Sequence, residues 1–227
     1  ITAQGKEVTK ILVDGKEFFS DDAKVASRNI PVDMVDKLQV IDRKSDLARL
    51  TGVDDGEDET VINLTVKKGM KQGWFGNATV GYGTDNRYSG NLMVNRFVND
   101  NQFSIVADAN NINEMSFSMP GSGRFRRFGG VDGVNDAQNV GFNFNVGNDE
   151  IFRAGGDVMY SHSRQKTQQT SNKQYLFADS TSYENAFSNA IDRSHNLTGN
   201  FRMQWQVDSL NNLDLRPSFK TRVNHND

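Results

Sequence analysis

Apolar and polar residues alternate in the C-terminal two thirds of this chain, and this alternation limits the fold more than any other feature. In the clearest segment, residues 139–147, every second residue is apolar: Val140, Phe142, Phe144 and Val146 alternate with Asn139, Asn143 and Asn145. Side chains of a β-strand point alternately to the two faces of a sheet. The alternation therefore predicts a sheet with one apolar and one polar face.

Seven such segments follow one another after residue 72. We predict strands at 74–83, 87–98, 102–112, 138–148, 151–164, 194–207 and 212–223. Each has about the length that crosses a bilayer at a tilt. The second, fourth and sixth connections are short, whereas the third and fifth, 113–137 and 165–193, are long loops on the opposite side. This asymmetry is typical of outer-membrane β-barrels, although a soluble β-sandwich also has alternating strands.

The composition fits either architecture. Mean hydropathy is -0.65 and 36% of the residues are hydrophobic, which is low for a 227-residue soluble core but expected where half of each strand faces water. No run reaches the roughly 20 apolar residues of a membrane helix, so any membrane contact must come through strands. A net charge of -3 gives no electrostatic case for nucleic acid as a partner, and the absence of cysteine excludes disulfides and thiolate sites.

The first 69 residues have a different pattern, which predicts a small α/β unit at 1–69 before the strands of 70–227. In chain order we predict a strand at 10–18 with an Asp-Gly turn, a helix from Ser20 that ends before Pro31, a helical turn from Val32, a polar connector at 45–50, and strands at 37–42 and 60–67. The change to strict period two at 69–74 marks the boundary between the two parts.

Three motifs in this first part carry a resemblance to a known family. They are Ile11-Leu12-Val13-Asp14-Gly15, then Val40-Ile41-Asp42, then Val61-Ile62-Asn63-Leu64-Thr65-Val66-Lys67-Lys68. In this order and spacing they resemble the second half of the plug domain of TonB-dependent outer-membrane receptors. The segments 16–20 and 51–56 are most similar to receptors of Bacteroidetes-type bacteria. One departure is the acidic run 54–59, where many members have a segment rich in Gly and Ala.

The resemblance implies a plug fragment followed by the first strands of an incomplete transmembrane β-barrel, in a family whose barrels have about 22 strands. It implies energised uptake of a large nutrient, such as a siderophore or a glycan, across the outer membrane of a Gram-negative cell. The implied partners are outer-membrane lipid, a TonB-type energy-transducing protein that contacts a plug region absent here, and a surface lipoprotein. The alternative is a non-transporting surface β-protein that binds a ligand or an adhesin partner.

The two long loops hold the candidate ligand-binding residues. In the first loop, arginines that bind anions alternate with phenylalanines that stack on rings: Arg124, Phe125, Arg126, Arg127 and Phe128. In the second loop, Tyr175, Phe177 and Tyr183 are candidate aromatic platforms for a sugar. For both loops the alternative is an ordinary exterior loop.

No residue pattern indicates catalysis, a metal or a cofactor. No nucleophile has a base and an orienting group nearby in the sequence, so we do not expect an enzyme. His162, His195 and His225 each stand alone in the sequence, with no second ligand at metal spacing, and we expect each to be a girdle or strand residue. The acidic run 54–59 lacks the ligand spacing of an EF-hand loop, which favours a solvated loop. Pro217, which cannot donate to a ladder, should mark a sheet edge, a bulge or a strand end.

Overall fold

The structure is a computed structural model of the chain, and it is mainly β. It describes residues 2–3, 5–19, 30, 32–45, 48, 52–114, 133–148, 151–177, 180–208 and 211–226. The described strands form two separate sheets, one in each part of the chain. Across these described ranges, no helix has both the length and the apolar composition needed to cross a membrane.

The first sheet has five strands and belongs to the N-terminal unit, residues 2–66. Its strands are β1 (Thr2–Ala3), β2 (Lys6–Val13), β3 (Lys16–Glu17), β4 (Val35–Lys44) and β5 (Asp58–Val66). The order is β1-β2-β5-β4, with β3 paired to β2. Among the described strands, only the β2–β5 pair is parallel, and β5 pairs with no later strand. The strands predicted at 10–18, 37–42 and 60–67 are confirmed.

A single 3-10 turn, Val32–Met34, precedes β4, where a helical turn was expected from Val32. The helix expected from Ser20 lies outside the described residues, as does most of the connector 45–50. The acidic run 54–59 forms the approach to β5 and its first residues. A second 3-10 turn, Lys68–Met70, leads from β5 into the next sheet.

The second sheet is an antiparallel meander in which each strand from β6 to β11 pairs with the next. Its strands are β6 (Gln72–Tyr82), β7 (Tyr88–Val98), β8 (Asn101–Asn110), β9 (Val134–Gly147), β10 (Phe152–Leu176), β11 (Thr181–Gln206), β12 (Asn212–Leu215) and β13 (Ser218–Asn226). Both β12 and β13 pair with β11, at one edge of the sheet, and β6 is the other edge. The meander contains every strand that the alternation predicts.

Pro217 separates β12 from β13 without changing their register on β11. Met203 pairs with Leu215 before the proline, and Asn200 pairs with Ser218 after it. The Phe201 N–H donates to the Pro217 carbonyl at 2.9 Å, but proline has no N–H to return the bond. The expected interruption at a sheet edge is confirmed.

The predicted long loop 165–193 is wrong, because β10 and β11 continue through it. Their pairing runs from Phe152 with Trp205 to Leu176 with Thr181, and the Phe177 N–H then donates to Ser180 O at 2.8 Å. Beyond Lys166 and Asp192 these strands pair only with each other. The apolar alternation stops near residue 164 because a two-stranded ribbon has both faces in water, and so the pattern gave no strand signal.

The turn between β2 and β3 ties the first sheet together through Asp14. Asp14 has φ of +48° and is followed by Gly15 at φ +79°. The Asp14 N–H donates to Leu64 O at 2.9 Å, and the Val66 N–H donates to Asp14 Oδ1 at 3.0 Å. The Gly15 N–H donates to Asn63 Oδ1 at 2.9 Å. This Asp-Gly turn is therefore anchored on β5.

We expect Asp14→Ala to lower the free energy of unfolding by about 1–2 kcal/mol, because the Val66 N–H loses its acceptor and alanine is strained at positive φ. Asp14→Asn keeps a side-chain oxygen and tolerates positive φ, so it should cost clearly less. Denaturant unfolding of the three proteins measures both values. Equal costs for the two variants would contradict the role assigned to Oδ1.

Candidate functional site

The two faces of the β6–β13 sheet differ in chemistry, and the polar face is the buried one. In strands β7–β11, ten amide, hydroxyl or carboxylate side chains of this face are less than a tenth exposed. They are Asn95, Gln102, Ser104, Asp108, Asn110, Asn139, Asn143, Asn145, Asp157 and Asn196. The strand register places them in rows, one of which runs across five strands as Asn95, Ser104, Asn143, Asp157 and Asn200.

Hydrogen bonds within this face join neighbouring strands. Asn139 Nδ2 donates to Asp108 Oδ1 at 2.9 Å, and Asn200 Nδ2 donates to Asp157 Oδ2 at 3.3 Å. Asn143 Nδ2 donates to the Gly156 carbonyl at 3.3 Å. Buried amides need such partners, because an unpaired polar group away from water costs free energy. The face is thus a cross-strand polar network.

The opposite face of the sheet is apolar and exposed. Ile105 is 46% exposed, Phe142 40% and Trp205 45%. Four aromatic rings follow one another across it, with centroids 6.0 Å apart from Phe142 to Phe144, 6.4 Å from Phe144 to Phe201, and 6.3 Å from Phe201 to Phe219. A large contiguous apolar patch on a protein surface marks contact with a partner or a membrane.

The N-terminal unit covers the polar face through the β2–β3 hairpin. Gln102 Nε2 donates to Val13 O at 3.3 Å, and Asn145 Nδ2 donates to Glu17 O at 2.9 Å. Lys16 Nζ donates to the Asp100 carbonyl in the short β7–β8 turn. The hairpin therefore lies near the end of the sheet where the short turns are.

Two phenylalanines that follow the hairpin extend the first sheet's core onto the second sheet. Phe18 and Phe19 are 2% and 1% exposed, with their rings edge to face at 5.0 Å. They belong to one buried cluster with Met93, Phe97 and Val106 of the large sheet. A Cβ at Gly141 would stand 2.9 Å from both Phe19 Cε1 and Val106 Cγ2. Glycine at 141 therefore makes room for the Phe19 ring.

A cavity of about 250 Å³ lies between this hairpin and β9–β13. Its wall carries the cations Lys10, Arg153, Arg202 and Arg216. Glu17 Oε1 lies 3.4 Å from both Lys10 Nζ and Arg202 Nη1, so it bridges the N-terminal unit to β11. These half-buried charges face the cavity, where ion pairs are screened less than at the surface.

The candidate aromatic residues lie on the free part of the β10–β11 hairpin, residues 167–191, which we call the arm. Tyr183, 70% exposed, shares one face of the arm with Phe187, also 70% exposed, four residues further along β11. Tyr175 lies on the other face, where its hydroxyl donates to Glu184 Oε2 at 2.7 Å, and Phe177 is in the turn. Phe187 was not predicted as a site residue. Arg124, Phe125, Arg126, Arg127 and Phe128 lie outside the described residues.

His162 and His195 are directly opposite each other, with stacked rings and centroids 4.4 Å apart. All three histidines lie in strands, as expected, and antiparallel pairing brings His162 and His195 together although they are distant in sequence. Tyr160 Oη and His195 Nδ1 are 2.9 Å apart, so an aromatic group forms at one rim of the apolar face. Within the described part of the chain, no three His, Asp or Glu side chains gather where they could hold a metal ion.

Comparison with known proteins adds no family. No family model matches the chain, and no curated protein has a matching sequence. The features that bear on function are therefore the two unlike faces of the large sheet and the N-terminal unit that covers one of them.

The acidic run 54–59 is held by nearby cations and backbone donors. The Gly56 N–H donates to Asp54 Oδ1 at 3.0 Å, and Lys44 Nζ lies 3.0 Å from Asp54 Oδ2 and 3.2 Å from Asp58 Oδ1. These contacts, the Gly56 hydrogen bond first and Lys44 next, lower the pKa of Asp54. The Ser45 hydroxyl, followed by the Glu57 N–H, lowers the pKa of Asp55.

We expect this run to detach from β4 only in acid. A carboxylate with a lowered pKa contributes stability above its unfolded value of about 3.9 and loses it as the pH falls through the folded value. NMR shifts of the Gly56 and Glu57 amides should therefore titrate with midpoints below about pH 3.9. Ser45→Ala should move the Glu57 midpoint upward and leave the Gly56 midpoint unchanged. Midpoints at or above the ordinary aspartate value would contradict the contacts.

Proposed function

We propose that this chain is the plug-to-barrel part of an outer-membrane TonB-dependent receptor, which takes up a large nutrient such as a siderophore or a glycan. The supporting observation is the polarity of the β6–β13 sheet: amides and carboxylates are buried beneath the N-terminal unit, whereas Ile105, Phe142 and Trp205 are exposed. A soluble sandwich buries its apolar face instead. A barrel in a membrane has the polar face toward its lumen and the apolar face toward lipid.

The height of the apolar face suits a bilayer. From His195 to Trp205 on β11, ten residue steps at about 3.3 Å extend roughly 33 Å, or about 25 Å along the normal at a 40° tilt. Rings lie at both rims: Trp74, Phe152 and Trp205 at one, and Tyr82, Tyr160 and His195 at the other. Aromatic girdles of this kind flank the apolar band of outer-membrane barrels.

The two ends of the sheet are also unlike. At one end the connections are short: 99–100, 148–151 and 207–211. At the other end lie the connection 111–133 and the arm. Outer-membrane barrels have short periplasmic turns and long exterior loops, and the contact of Lys16 with Asp100 places the N-terminal unit near the short-turn end. A plug that enters the lumen from the periplasm has this arrangement.

In this proposal the exterior end binds the nutrient and the plug region upstream receives the pull of a TonB-type protein. Arg124, Phe125, Arg126, Arg127 and Phe128 are the residues for an anionic or aromatic ligand. Tyr183, Phe177 and Tyr175 on the arm supply rings for a sugar, and a surface lipoprotein is a further partner at that end. The proposed location is the outer membrane of a Gram-negative cell, and no enzymatic step is part of it.

A second candidate is a surface β-protein that binds a ligand or adhesin partner and transports nothing. The arm favours it, because Tyr183 and Phe187 are each 70% exposed on a ribbon that extends beyond the rest of the sheet. Exposed aromatic side chains are common anchors in binding surfaces. In both candidates the large sheet lies in the membrane. The two candidates differ in whether the N-terminal unit must move.

We expect Ile105→Arg to cost about 2–4 kcal/mol of unfolding free energy in a bilayer, because Ile105 lies near the middle of the apolar band. Thr198→Arg is the matched control, since Thr198 is half-buried on the polar face one row away. It should cost less. Unfolding in lipid vesicles measures both values. If Ile105→Arg costs no more than about 0.5 kcal/mol, as at an ordinary water-exposed position, the face does not contact lipid.

Disulfide locking separates transport from binding. The chain has no cysteine, so a pair placed at Glu17 and Asn145, where the Asn145 side chain meets the Glu17 carbonyl, is the only disulfide. We expect the oxidised pair to stop nutrient uptake by cells while surface binding persists, and a reductant to restore uptake. Either single cysteine is the control. Uptake that continues with the disulfide formed would contradict a plug that moves.

A further inference from the structure

One cation interrupts the apolar face of the large sheet. Cross-strand register places Arg96 in one row with Phe103, Phe144 and Phe201 on the apolar face. Arg96 is two residues before Val98, at which β7 ends. Among the described outward-facing positions between the rows of His195 and Trp205, Arg96 is the only Lys or Arg. A cation at such a position is costly in lipid unless its charge reaches the interface or an anion.

Trp74 holds the Arg96 side chain in place. The two residues are cross-strand partners on β6 and β7, and the guanidinium carbon lies 4.8 Å from the centroid of the Trp74 ring. A guanidinium stacked on an indole keeps its N–H groups at the edge, where they can donate to an oxyanion. In the part of the chain that the structure describes, no carboxylate lies within ion-pair distance of Arg96.

A hollow of about 190 Å³ adjoins this pair on the side of the short turns. Gln72, Trp74, Arg96, Val98 and Asn99 line it. Gln72 and Val98 are the next cross-strand pair toward the rim, and Gln72 Nε2 donates to Asn99 Oδ1. The Arg96 guanidinium thus lies on the side of the hollow away from the short turns, and the Gln72 and Asn99 amides lie on the side toward them. Trp74 and Val98 form its apolar walls.

We propose that this hollow binds the phosphate of an anionic glycerophospholipid in the periplasmic leaflet. The inference depends on the proposed membrane location and adds a specific lipid site to it. Two residue steps are about 7 Å, so the Arg96 side chain reaches the headgroup level by extending toward the rim. There its N–H donors meet a phosphate oxyanion, the amides of Gln72 and Asn99 meet glycerol or headgroup oxygens, and Trp74 and Val98 contact the upper acyl chains.

Trp74 is itself a reporter of the lipid beside it. The chain has two tryptophans, so in the Trp205→Phe variant all tryptophan fluorescence comes from Trp74. The full chain is reconstituted in vesicles that contain either brominated phosphatidylglycerol among unlabelled phosphatidylcholine, or the reverse, at equal mole fraction. The ratio of the quenching by brominated phosphatidylglycerol to the quenching by brominated phosphatidylcholine gives the preference of the site for the anionic headgroup. We expect a preference of about five-fold, from one arginine near an anionic surface.

Arg96→Gln should bring this preference close to one while Trp74 is still quenched by both lipids. Arg164→Gln is the control, since Arg164 is on the same face at the opposite rim and should leave the preference unchanged. Equal quenching by both lipids in the protein with Arg96 overturns the site but keeps the membrane proposal. No quenching by either lipid overturns both. If inorganic phosphate at constant ionic strength removes the preference, the site binds free phosphate and the lipid assignment is wrong.

Discussion

The structure depends on one constraint: every strand of the large sheet has a polar face that must be satisfied and an apolar face that must be covered. The chain itself meets the first requirement at several positions. Amides such as Asn143 and Asn145 bond to neighbouring strands and to the hairpin at 13–17, and Phe19 fits against Gly141. The second is not met within the described residues, because the faces of Ile105 and Phe142 remain open. In the proposed membrane location, lipid covers this face.

The same constraint explains the parts of the chain that differ from the regular strands. Pro217 is accommodated because the described strands on either side of it, β12 and β13, pair only with β11, so the missing donor is needed by no second strand. The arm loses its apolar alternation where it extends beyond β9 and β13, because water then contacts both of its faces. Arg96 is tolerated near a rim, where its length lets the charge leave the apolar band.

Sequence reasoning predicted most of the strands because period two is a local signal that survives in each strand separately. It placed Phe142 and Phe144 on one face, where the register confirms them. It failed where a relationship is non-local. Strand register determines the stacking of His162 on His195. Docking of the two sheets determines the contact of Glu17 with Arg202 and the cavity beside it. No spacing in the sequence encodes these contacts. The extent of the arm was missed because its residues are polar on both faces.

The most direct test of the account is a scan of solvent accessibility along β8. The chain has no natural cysteine, so spin labels can be attached at single cysteines placed at each position from 102 to 110 in the bilayer-reconstituted protein. Collision rates with oxygen, which concentrates in lipid, and with a water-soluble nickel complex are then measured. The account predicts a period of two, with positions 103, 105, 107 and 109 accessible to oxygen and 104, 106 and 108 protected from both. High nickel accessibility at 103, 105, 107 and 109 would contradict it, because the apolar face would then be in water.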